Sequence, residues 1–393
     1  MEKSYKITSM KIILLNDSFP PIIDGVANAV VNYAEVLTNE FHDDVIVATP
    51  RYPHVDYDQY PFKVLAYSSL NTYKMTAGYR VGNAFSPEAL LELRSFKPDI
   101  IHAHCPFSSL MMGRHVRYLT GAPLVFTYHT KFDVDIARAV RMKIIQDTVV
   151  NAMVNTISIA DEVWTVSKGA GDNLCSLGYK GAFRVMKNGV DFEKGEASKE
   201  EVEEVTGAYD LPEGVPVYIF VGRIFKYKGL PIILDALNIL NQKGKDFRMV
   251  FVGDGPDLKE LRQTASDYNL DKKAFFIGKI SDREILKAWY TRADLFLFPS
   301  TYDTNGIVVH EAAACGIASV LIEGSCAGED VTDRVNGYLI KENYEALAQL
   351  LLELGNNTDQ IRKVGKNAMR DLYISWRDAV AIARQNYERI INR

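Results

Sequence analysis

Two carboxylates stand eight residues apart in the segment STYDTNGIVVHEAAACG, residues 300–316. Asp303 lies in a loop pattern, Glu311 lies in the hydrophobic run that follows, and Gly306 lies between them. The run predicts a helix that begins near Gly306, and the unpaired amides at a helix start favour an anion such as phosphate. Because helical side chains lean toward the N-terminus, Glu311 can point at the same ligand.

The two carboxylates indicate hydroxyl groups beside that phosphate. A carboxylate repels phosphate but accepts hydrogen bonds from hydroxyls. Glu311 can therefore serve a ribose and Asp303 a second sugar, with a phosphate against the amides of Gly306 and Ile307. This pattern predicts a nucleotide-sugar site. Spacing alone leaves a plainer alternative open, in which Asn305 or Asp303 only caps the helix.

Cations and a glycine turn add anion-binding potential elsewhere. Arg223 follows the strand pattern VYIFVG, and Lys228 comes five residues later. Arginine makes forked contacts to phosphate oxygens and lysine supplies a point charge, so the pair suits a diphosphate. Two cations in a surface loop are the alternative. Gly25 precedes an amphipathic helix, where a glycine either lets amides approach an anion or only makes a turn.

Three histidines follow or end predicted strands. His102 and His104 alternate in PDIIHAH, and His129 ends PLVFTYH. Two histidines on one strand face can mimic part of a metal site. Since no Asp or Glu stands nearby at ligand spacing, we expect hydrogen-bonded histidines instead. His129 can donate to a ligand hydroxyl or cap the next loop.

Alternating strands and helices must position these side chains. Short β-rich runs such as KIILLN and VYIFVG are followed by longer helical patterns along the whole chain, which predicts parallel sheets. Ligands bind beyond the carboxyl ends of the strands in such sheets. At 393 residues the chain exceeds the roughly 250–300 residues at which one core stops growing, so we expect two domains.

The boundary between the domains falls in a charged segment. Ser198 is followed three residues later by Glu201, a spacing typical of a capping box that opens a short solvated helix. We therefore place the linker at residues 190–196.

The last segment, WRDAVAIARQNYERII, predicts a capped helix. Val380, Ala383, Tyr387 and Ile391 lie on one face of that helix, which must pack on another element.

Composition excludes several classes of protein. A formal net charge of -5 makes nucleic acid a poor candidate for the main partner. The four cysteines lie far apart and form neither a zinc pattern nor a disulfide framework, so we expect reduced thiols and a cytoplasmic location. No run approaches the roughly 18 apolar residues of a membrane span, and the N-terminal apolar stretch is too short for a signal peptide.

Any membrane contact is therefore expected to be peripheral and to involve the first domain. The first half of the chain is the more basic, and several cations lie near its middle: Arg114, Arg117, Arg138, Arg141 and Lys143. Such spacing is typical of a solvated helix face, and a lipid-binding patch is the alternative.

Together these motifs resemble the retaining glycosyltransferases of family 4, which have the GT-B fold. The matching segments follow the family's order along nearly the whole chain: FPPIIDGVANAVVNYAEVL, DIIHAHCPF, TYHT, VWTVSKG, KNGVD, VGRIFKYKG, VGDGP and DTNGIVVHEAAACG. The resemblance implies an α/β fold of two Rossmann-like, doubly wound parallel-sheet domains facing across a cleft. Residues 1–193 would form the acceptor-side domain, residues 194–375 the donor domain, and helix 376–393 would pack back on the first domain.

The resemblance also implies the roles of individual residues. Arg223 and Lys228 would hold the diphosphate, Glu311 the ribose, and His129 would lie by the sugar. Asp303 would hold the donor sugar, with the catalytic role shared among His129, Asp303, Arg223 and Lys228. The complete implied set is Gly25, His129, Arg223, Lys228, Lys279, Ile280, Asp303, Asn305, Gly306, Ile307 and Glu311, of which Lys279 and Ile280 would lie near the base.

Asp303 departs from the glutamate that is usual at the first carboxylate position. The shorter side chain retracts the carboxylate by about one bond, so its hydroxyl contact is expected to be water-mediated or changed in sugar preference.

By resemblance, the chemistry requires neither a metal nor another cofactor. Cations and helix amides would offset the charge that develops on the departing diphosphate, a task that a metal performs elsewhere. Same-face attack, with the departing phosphate accepting the proton of the incoming hydroxyl, would retain the anomeric configuration.

The acceptor is the least specified element. YDTNG and EGSCAGEDVTDRVNGYLI resemble the bacterial members that glycosylate lipids such as diacylglycerol or phosphatidylinositol. We expect hexose transfer from a nucleotide-sugar, UDP-glucose or UDP-galactose before GDP-mannose, to a membrane glycerolipid. A polysaccharide or lipid-linked oligosaccharide acceptor is the nearest alternative. Outside this class stand a nucleotide-sugar epimerase, which would need further acid and base groups, and a non-catalytic nucleotide-sugar binder.

Overall fold

The computed structural model describes residues 9–22, 24–71, 80–132, 136, 142–355 and 357–393. The chain divides into two compact units, one of residues 1–188 and 376–393 and the other of residues 189–375. The strands are β1 (Lys11–Leu15), β2 (Asp44–Pro50), β3 (Lys63–Tyr67), β4 (Ser69–Asn71), β5 (Arg80–Gly82), β6 (Ile100–Ala103), β7 (Leu124–Tyr128), β8 (Glu162–Thr165), β9 (Phe183–Val185), β10 (Val217–Val221), β11 (Arg248–Val252), β12 (Ala274–Gly278), β13 (Leu295–Phe298), β14 (Ala318–Ile322) and β15 (Tyr338–Ile340).

The helices with described bounds are α1 (Gly25–Asn39), α2 (Pro87–Phe96), α3 (Ser108–Thr120), α4 (Lys143–Ile157), α5 (Lys168–Ser176), α6 (Lys199–Thr206), α7 (Leu230–Gln242), α8 (Leu258–Asp267), α9 (Arg283–Arg292), α10 (Ile307–Ala314), α11 (Tyr344–Leu354), α12 (Thr358–Asp371) and α13 (Trp376–Ile391). Two 3₁₀ turns span Lys226–Lys228 and Cys326–Gly328.

The first unit contains a seven-stranded parallel sheet in the order β3-β2-β1-β6-β7-β8-β9. Its central strands are hydrophobic on both faces, since Ile12, Ile13, Leu14 and Leu15 are all fully buried. This pattern is typical of a sheet covered by helices on both sides. The strand order reverses between β1 and β6, which creates a topological switch point there.

The second unit contains a six-stranded parallel sheet in the order β12-β11-β10-β13-β14-β15. Every residue of β10 is buried. The order reverses between β10 and β13, so the second switch point lies where the segments after these strands meet. The predicted fold of two doubly wound parallel sheets is thus confirmed for each unit.

The second unit begins earlier in the chain than the sequence predicts. Residues 189–193, which we expect in the first domain, fall in the second unit. Val190 and Phe192 are buried in its core, and the Val190 N–H donates to the carbonyl of Ile374 at 3.1 Å. The apolar side chains of this segment therefore form part of the second core rather than of a solvated linker.

Local signals near that boundary are confirmed. The Ser198 hydroxyl accepts from the Glu201 N–H at 3.2 Å, and the Glu201 carboxylate accepts from the Ser198 N–H at 2.7 Å. This is the predicted capping box at the start of α6.

Helix α13 packs against α1 within the first unit. Its Arg384 guanidinium donates to both oxygens of Asp43, at 2.8 and 3.0 Å, and both side chains are buried. Val380, Ala383 and Tyr387 are fully buried as predicted, but Ile391 is 37% exposed and Ile390 is only 6% exposed.

The error at Ile391 has a simple cause. The buried positions of α13 are 376, 379, 380, 383, 384, 387 and 390. Within them, 376, 380, 383, 387 and 390 are spaced by four and three residues in turn. Such a 3.5-residue repeat drifts from the 3.6-residue helical period, so the buried face reaches position 390 instead of 391.

Candidate functional site

The switch point of the second sheet brings two predicted site residues together. Lys228 ends the 3₁₀ turn after β10, and Asp303 lies in the loop after β13. The Lys228 ammonium donates to Asp303 Oδ1 at 2.7 Å, and the Ser300 hydroxyl donates to Asp303 Oδ2 at 2.6 Å. Lys228 is 8% exposed, so this cation is built into the fold rather than displayed on a surface loop.

A glycine sets the position of that lysine. Gly229 has φ of 78°, in the left-handed region, and a Cβ atom there would lie 2.1 Å from the carbonyl oxygen of Pro299. No other residue fits so close an approach of backbone to backbone. The end of the 3₁₀ turn can therefore lie directly against the end of β13.

The helix start at Gly306 is confirmed. Gly306 is the N-cap of α10 with φ of 57°, and no described side chain caps the helix. Asp303 and Asn305 are therefore not its caps, in contrast to the plainer alternative. The Asn305 side chain is 9% exposed, and its amide nitrogen has no hydrogen-bond partner among the described residues. Uncapped backbone amides beside an unsatisfied buried amide group favour an anion at this point.

Glu311 lies in the second turn of α10 and is 6% exposed. Its Oε1 accepts from Arg283 Nη2 at 2.6 Å, and its Oε2 lies 3.2 Å from the donating hydroxyl of Tyr290. Burial, reinforced by the charge of Glu311, raises the pKa of Tyr290 well above its usual value, so the tyrosine remains a donor. Each carboxylate oxygen keeps a second lone pair for a ligand.

Three other residues of this unit that are predicted for the donor site are more exposed than Lys228 and Glu311. Arg223 is exposed after β10, and its guanidinium carbon lies 5.4 Å from the centre of the Phe225 ring. Lys279 is exposed and Ile280 half-buried, both directly after β12. All three follow strands at the carboxyl edge of the sheet, where ligands bind in this kind of fold.

In the first unit, the three predicted histidines are adjacent at the carboxyl edge. His102 is fully buried, with Nδ1 2.5 Å from the Tyr387 hydroxyl and Nε2 2.6 Å from the Thr127 hydroxyl. His104 Nδ1 lies 2.9 Å from His129 Nε2. Burial lowers the pKa of His129 to about 3, so this ring is neutral at physiological pH.

The expectation of hydrogen-bonded histidines is confirmed for His102. The described residues contain no cluster of three or more His, Cys, Asp or Glu side chains that could hold a metal ion. His104 is hydrogen-bonded through Nδ1, to His129, whereas its Nε2 atom is buried and has no partner among the described residues.

Gly25 is the first residue of α1, but the start of this helix is already capped. The Asp24 carboxylate accepts from the N–H groups of Val26 and Ala27 at 2.8 and 2.7 Å. An anion at this point would meet a carboxylate, so the geometry favours a structural turn at Gly25 over a phosphate site.

Sequence reasoning missed two residues of these edges. Asp17, which follows β1, is buried and accepts from the N–H and hydroxyl of Ser109 at 2.9 and 2.7 Å, and burial raises its pKa. An acid just after a buried strand was the available signal. Arg283 carries no such signal, since in sequence it is an ordinary first-turn residue after the N-cap Asp282.

Among the residues described, no helix is both long and apolar enough to cross a bilayer.

Comparisons with known proteins agree with this architecture. The family model described as Glycosyltransferase Family 4 matches residues 23–194, and the model described as Glycosyl transferases group 1 matches residues 201–371. The alpha-monoglucosyldiacylglycerol synthase of Acholeplasma laidlawii is 25% identical over 370 residues, covering 91% of this chain and 92% of that protein. The enzyme of the same name from Streptococcus pneumoniae is 25% identical over 350 residues, covering 88% and 78%.

A solved structure shows the same fold. The crystal structure of Anabaena HepE in complex with UDP superposes with a TM-score of 0.77 at 20% identity, covering 98% of this chain and all of that one. The two parallel sheets, their switch points and the two family models together show that the chain is a glycosyltransferase of family 4 with the GT-B fold.

Proposed function

We propose that the protein transfers a hexose from a nucleotide-sugar to a hydroxyl of a membrane glycerolipid. The donor assignment rests on one observation: the Lys228–Asp303 pair and the uncapped start of α10 lie at the switch point of the second sheet, with Glu311 one turn further along. UDP-glucose or UDP-galactose is the favoured donor and GDP-mannose the alternative. The acceptor assignment rests on the names of the two synthases above.

The donor would be held through its charged and hydroxyl groups. Arg223, Lys228 and the amides of Gly306 and Ile307 bind the diphosphate, because cations and helix-start amides both favour phosphate oxygens. Glu311 accepts from the two ribose hydroxyls. The other residues of the set implied by resemblance also belong to the proposed donor site: His129 by the sugar, Lys279 and Ile280 near the base, and Asn305 and Gly25. The Asp24 cap argues against a phosphate contact at Gly25.

Asp303 would contact the donor sugar. Both of its oxygens already accept one hydrogen bond, from Lys228 and Ser300. Each oxygen retains a lone pair, so the carboxylate can accept from a sugar hydroxyl directly or through a water molecule. The Lys228 ammonium has further N–H groups that can donate to the diphosphate at the same time.

The reaction would proceed without metal or other cofactor. The bond between the anomeric carbon and the diphosphate breaks, and a bond to the acceptor oxygen forms on the same face. The acceptor proton moves to the departing phosphate oxygen. Lys228, Arg223 and the α10 amides stabilise the charge that develops on the diphosphate. Inversion at the anomeric carbon, seen by NMR of the product, would contradict this scheme.

Exposed apolar side chains of the first unit support a lipid surface as the partner. The described large hydrophobic residues exposed by more than 60% all fall between positions 70 and 144 of the chain: Leu70, Phe85, Leu91, Tyr118, Met142 and Ile144. The helices α2 and α3 that carry Leu91 and Tyr118 pack on each other. Exposed apolar groups flanked by cations are typical of peripheral membrane contact.

The five basic residues that the sequence suggests as a possible lipid-binding patch differ in exposure and pairing. Arg114 and Lys143 are exposed. Arg117 is committed to Asp161 through two bonds of 2.7 and 2.5 Å. Arg138 and Arg141 lie outside the described residues.

Nucleotide binding is the first test. Thermal unfolding is recorded with UDP, GDP and ADP separately, in the presence of EDTA. A ligand at 100 times its Kd stabilises by about 2.7 kcal/mol, so one nucleotide is expected to raise Tm clearly. Lys228→Ala removes that shift, whereas the control Lys226→Ala, in the same turn but paired with Glu260 at 2.5 Å, retains it. Absence of a shift with all three nucleotides and with intact UDP-glucose would refute the donor site.

The acceptor is tested with the selected nucleotide-sugar and mixed vesicles of phosphatidylcholine and diacylglycerol. Mass spectrometry is expected to detect a hexosyl diacylglycerol. Product only with an oligosaccharide acceptor would favour the polysaccharide alternative. Conversion of the donor sugar without any acceptor would indicate an epimerase, and tight binding without turnover on either acceptor would indicate a binding protein.

A further inference from the structure

We propose that Arg283 is a positioning residue, which holds the Glu311 carboxylate in the orientation that accepts both ribose hydroxyls. The inference rests on the proposed function, because the ribose contact of Glu311 is part of it. Arg283 itself would not touch the donor.

The geometry around Glu311 leaves one acceptor site on each carboxylate oxygen. Arg283 Nη2 donates to Oε1 at 2.6 Å, and the Tyr290 hydroxyl lies 3.2 Å from Oε2. Two donors on two different oxygens prevent rotation of the carboxylate plane. One lone pair remains on each oxygen, and two acceptors are what a vicinal diol needs.

Arg283 is itself held on more than one side. Its guanidinium carbon lies 4.1 Å from the centre of the Phe192 ring, and Nη2 lies 3.7 Å from Asp191 Oδ2. A planar guanidinium can lie flat on a ring and present a fork of donors to a carboxylate at the same time, whereas a lysine ammonium is a point charge without that planar fork. The segment that begins the second unit thus provides a platform for the arginine.

Arg283 also offsets the cost of burying the charge of Glu311. Glu311 is 6% exposed, and an ionised carboxylate at such a site is costly unless it is paired. Without Arg283, the carboxylate would turn toward solvent. It would then accept fewer hydrogen bonds from the ribose.

The expected signature is a loss of ribose discrimination rather than a loss of all binding. Loss of a hydrogen bond to a charged acceptor lowers affinity on the order of 10- to 100-fold. UDP should therefore bind the wild-type protein that much more tightly than 2′,3′-dideoxy-UDP. In Arg283→Met this ratio should fall to about one, mainly through weaker binding of UDP.

Calorimetric titration of both ligands into the full-length protein measures the ratio. The matched control is Arg334→Met, which removes an arginine of the same unit that pairs with Glu353 at 2.6 and 2.9 Å on an exposed surface. The control should keep the wild-type ratio. Arg283→Lys, which keeps the charge without the planar fork, should give an intermediate ratio and serves if the methionine variant does not fold.

The outcomes separate this inference from the proposed function. A wild-type ratio near one means that Glu311 does not contact the ribose, which refutes the donor-site assignment and the inference with it. A wild-type preference for UDP that is undiminished in Arg283→Met, or in Arg283→Lys where the methionine variant does not fold, refutes the inference alone. Tighter UDP binding in Arg283→Met also refutes it, because the guanidinium would then compete with the ribose.

Discussion

At the scale of single residues, the carboxyl edges of the two sheets hold ionisable groups in two different ways. In the second unit, Lys228 and Asp303 are charged and paired at 2.7 Å. In the first unit, His102, His104 and His129 are buried beside one another, and burial lowers the pKa of all three. The lysine–aspartate pair offers charged groups to a ligand, whereas the buried histidines are neutral.

The paired carboxylate should separate nucleotide binding from transfer. Asp303→Asn removes the negative charge but keeps the size of the side chain. UDP affinity should stay within about threefold or rise, because Lys228 is released toward the diphosphate, whereas transfer should fall on the order of 100-fold as the sugar contact is lost. Calorimetry and initial rates check the two effects. An equal loss of both would show that Asp303 serves the nucleotide.

The buried histidines should make the first unit sensitive to acid. Their folded pKa values lie below the usual 6.5, so their contribution is complete above pH 6.5 and is lost as the pH falls, because only the unfolded chain takes up the protons. For His129, with a folded pKa of about 3, the loss should be about 2 kcal/mol of unfolding free energy at pH 5. The raised pKa of Asp17 opposes this trend.

Urea unfolding at pH 7, 6 and 5 measures that dependence. Comparison with His102→Gln isolates one histidine from the opposing effect of Asp17. The variant should lose less unfolding free energy between pH 7 and pH 5 than the wild type. The same pH dependence in both proteins would mean that His102 titrates normally in the folded state.

At the scale of elements, the site depends on how closely a 3₁₀ turn approaches the end of a strand. The turn Lys226–Lys228 and the end of β13 meet at Gly229, where the backbone conformation and the contact with Pro299 both require glycine. The position of the Lys228 ammonium is therefore a property of this contact between two elements.

Gly229→Ala should displace the turn and abolish UDP binding. A Cβ atom at 2.1 Å from a backbone oxygen cannot be accommodated by side-chain movement. The control Gly244→Ala has a similar φ of 66° but no atom within 4 Å of its Cβ, so it should cost only the left-handed strain of about 1–2 kcal/mol. Unfolding curves and UDP titrations distinguish the variants. Normal UDP affinity in Gly229→Ala would show that the turn is not needed.

At the scale of the whole molecule, apolar exposure is unevenly distributed along the chain. Side chains such as Tyr118, 89% exposed, and Ile144, 77% exposed, belong to the first unit, while the exposed apolar residues of the second unit are less exposed, as at Val335 with 45%. This asymmetry predicts that the first unit carries any lipid contact.

The prediction is tested by flotation with vesicles of phosphatidylcholine and phosphatidylglycerol. The double variant Ile144→Ser with Tyr118→Ser should lower vesicle binding on the order of tenfold or more, because two apolar side chains lose burial in the interface. UDP binding should not change. The control Val335→Ser with Tyr344→Ser should bind vesicles like the wild type. Equal loss in both variants would argue against a specific lipid surface on the first unit.

The sequence by itself determined the features that depend on neighbouring residues. Apolar runs specify the strands of both sheets, Ser198 with Glu201 specifies a helix start, and Gly306 specifies the beginning of α10. The three-residue strands β4 and β5, which pair antiparallel with each other, were not predicted, because so short a run carries little periodicity. The carboxyl-edge rule also marks the segments after the strands, which include Lys228 and Asp303, as candidate ligand positions.

Only the tertiary structure decided the contacts between distant segments. Arg283 reaches Glu311, 28 residues away, and Arg384 reaches Asp43, 341 residues away. In the tertiary structure Val190 and Phe192 belong to the core of the second unit. Ile390, and not the predicted Ile391, lies on the buried face of α13. Local sequence sets backbone preference, but the partner of a buried charge is chosen by whichever elements pack together, because burial without a partner is too costly.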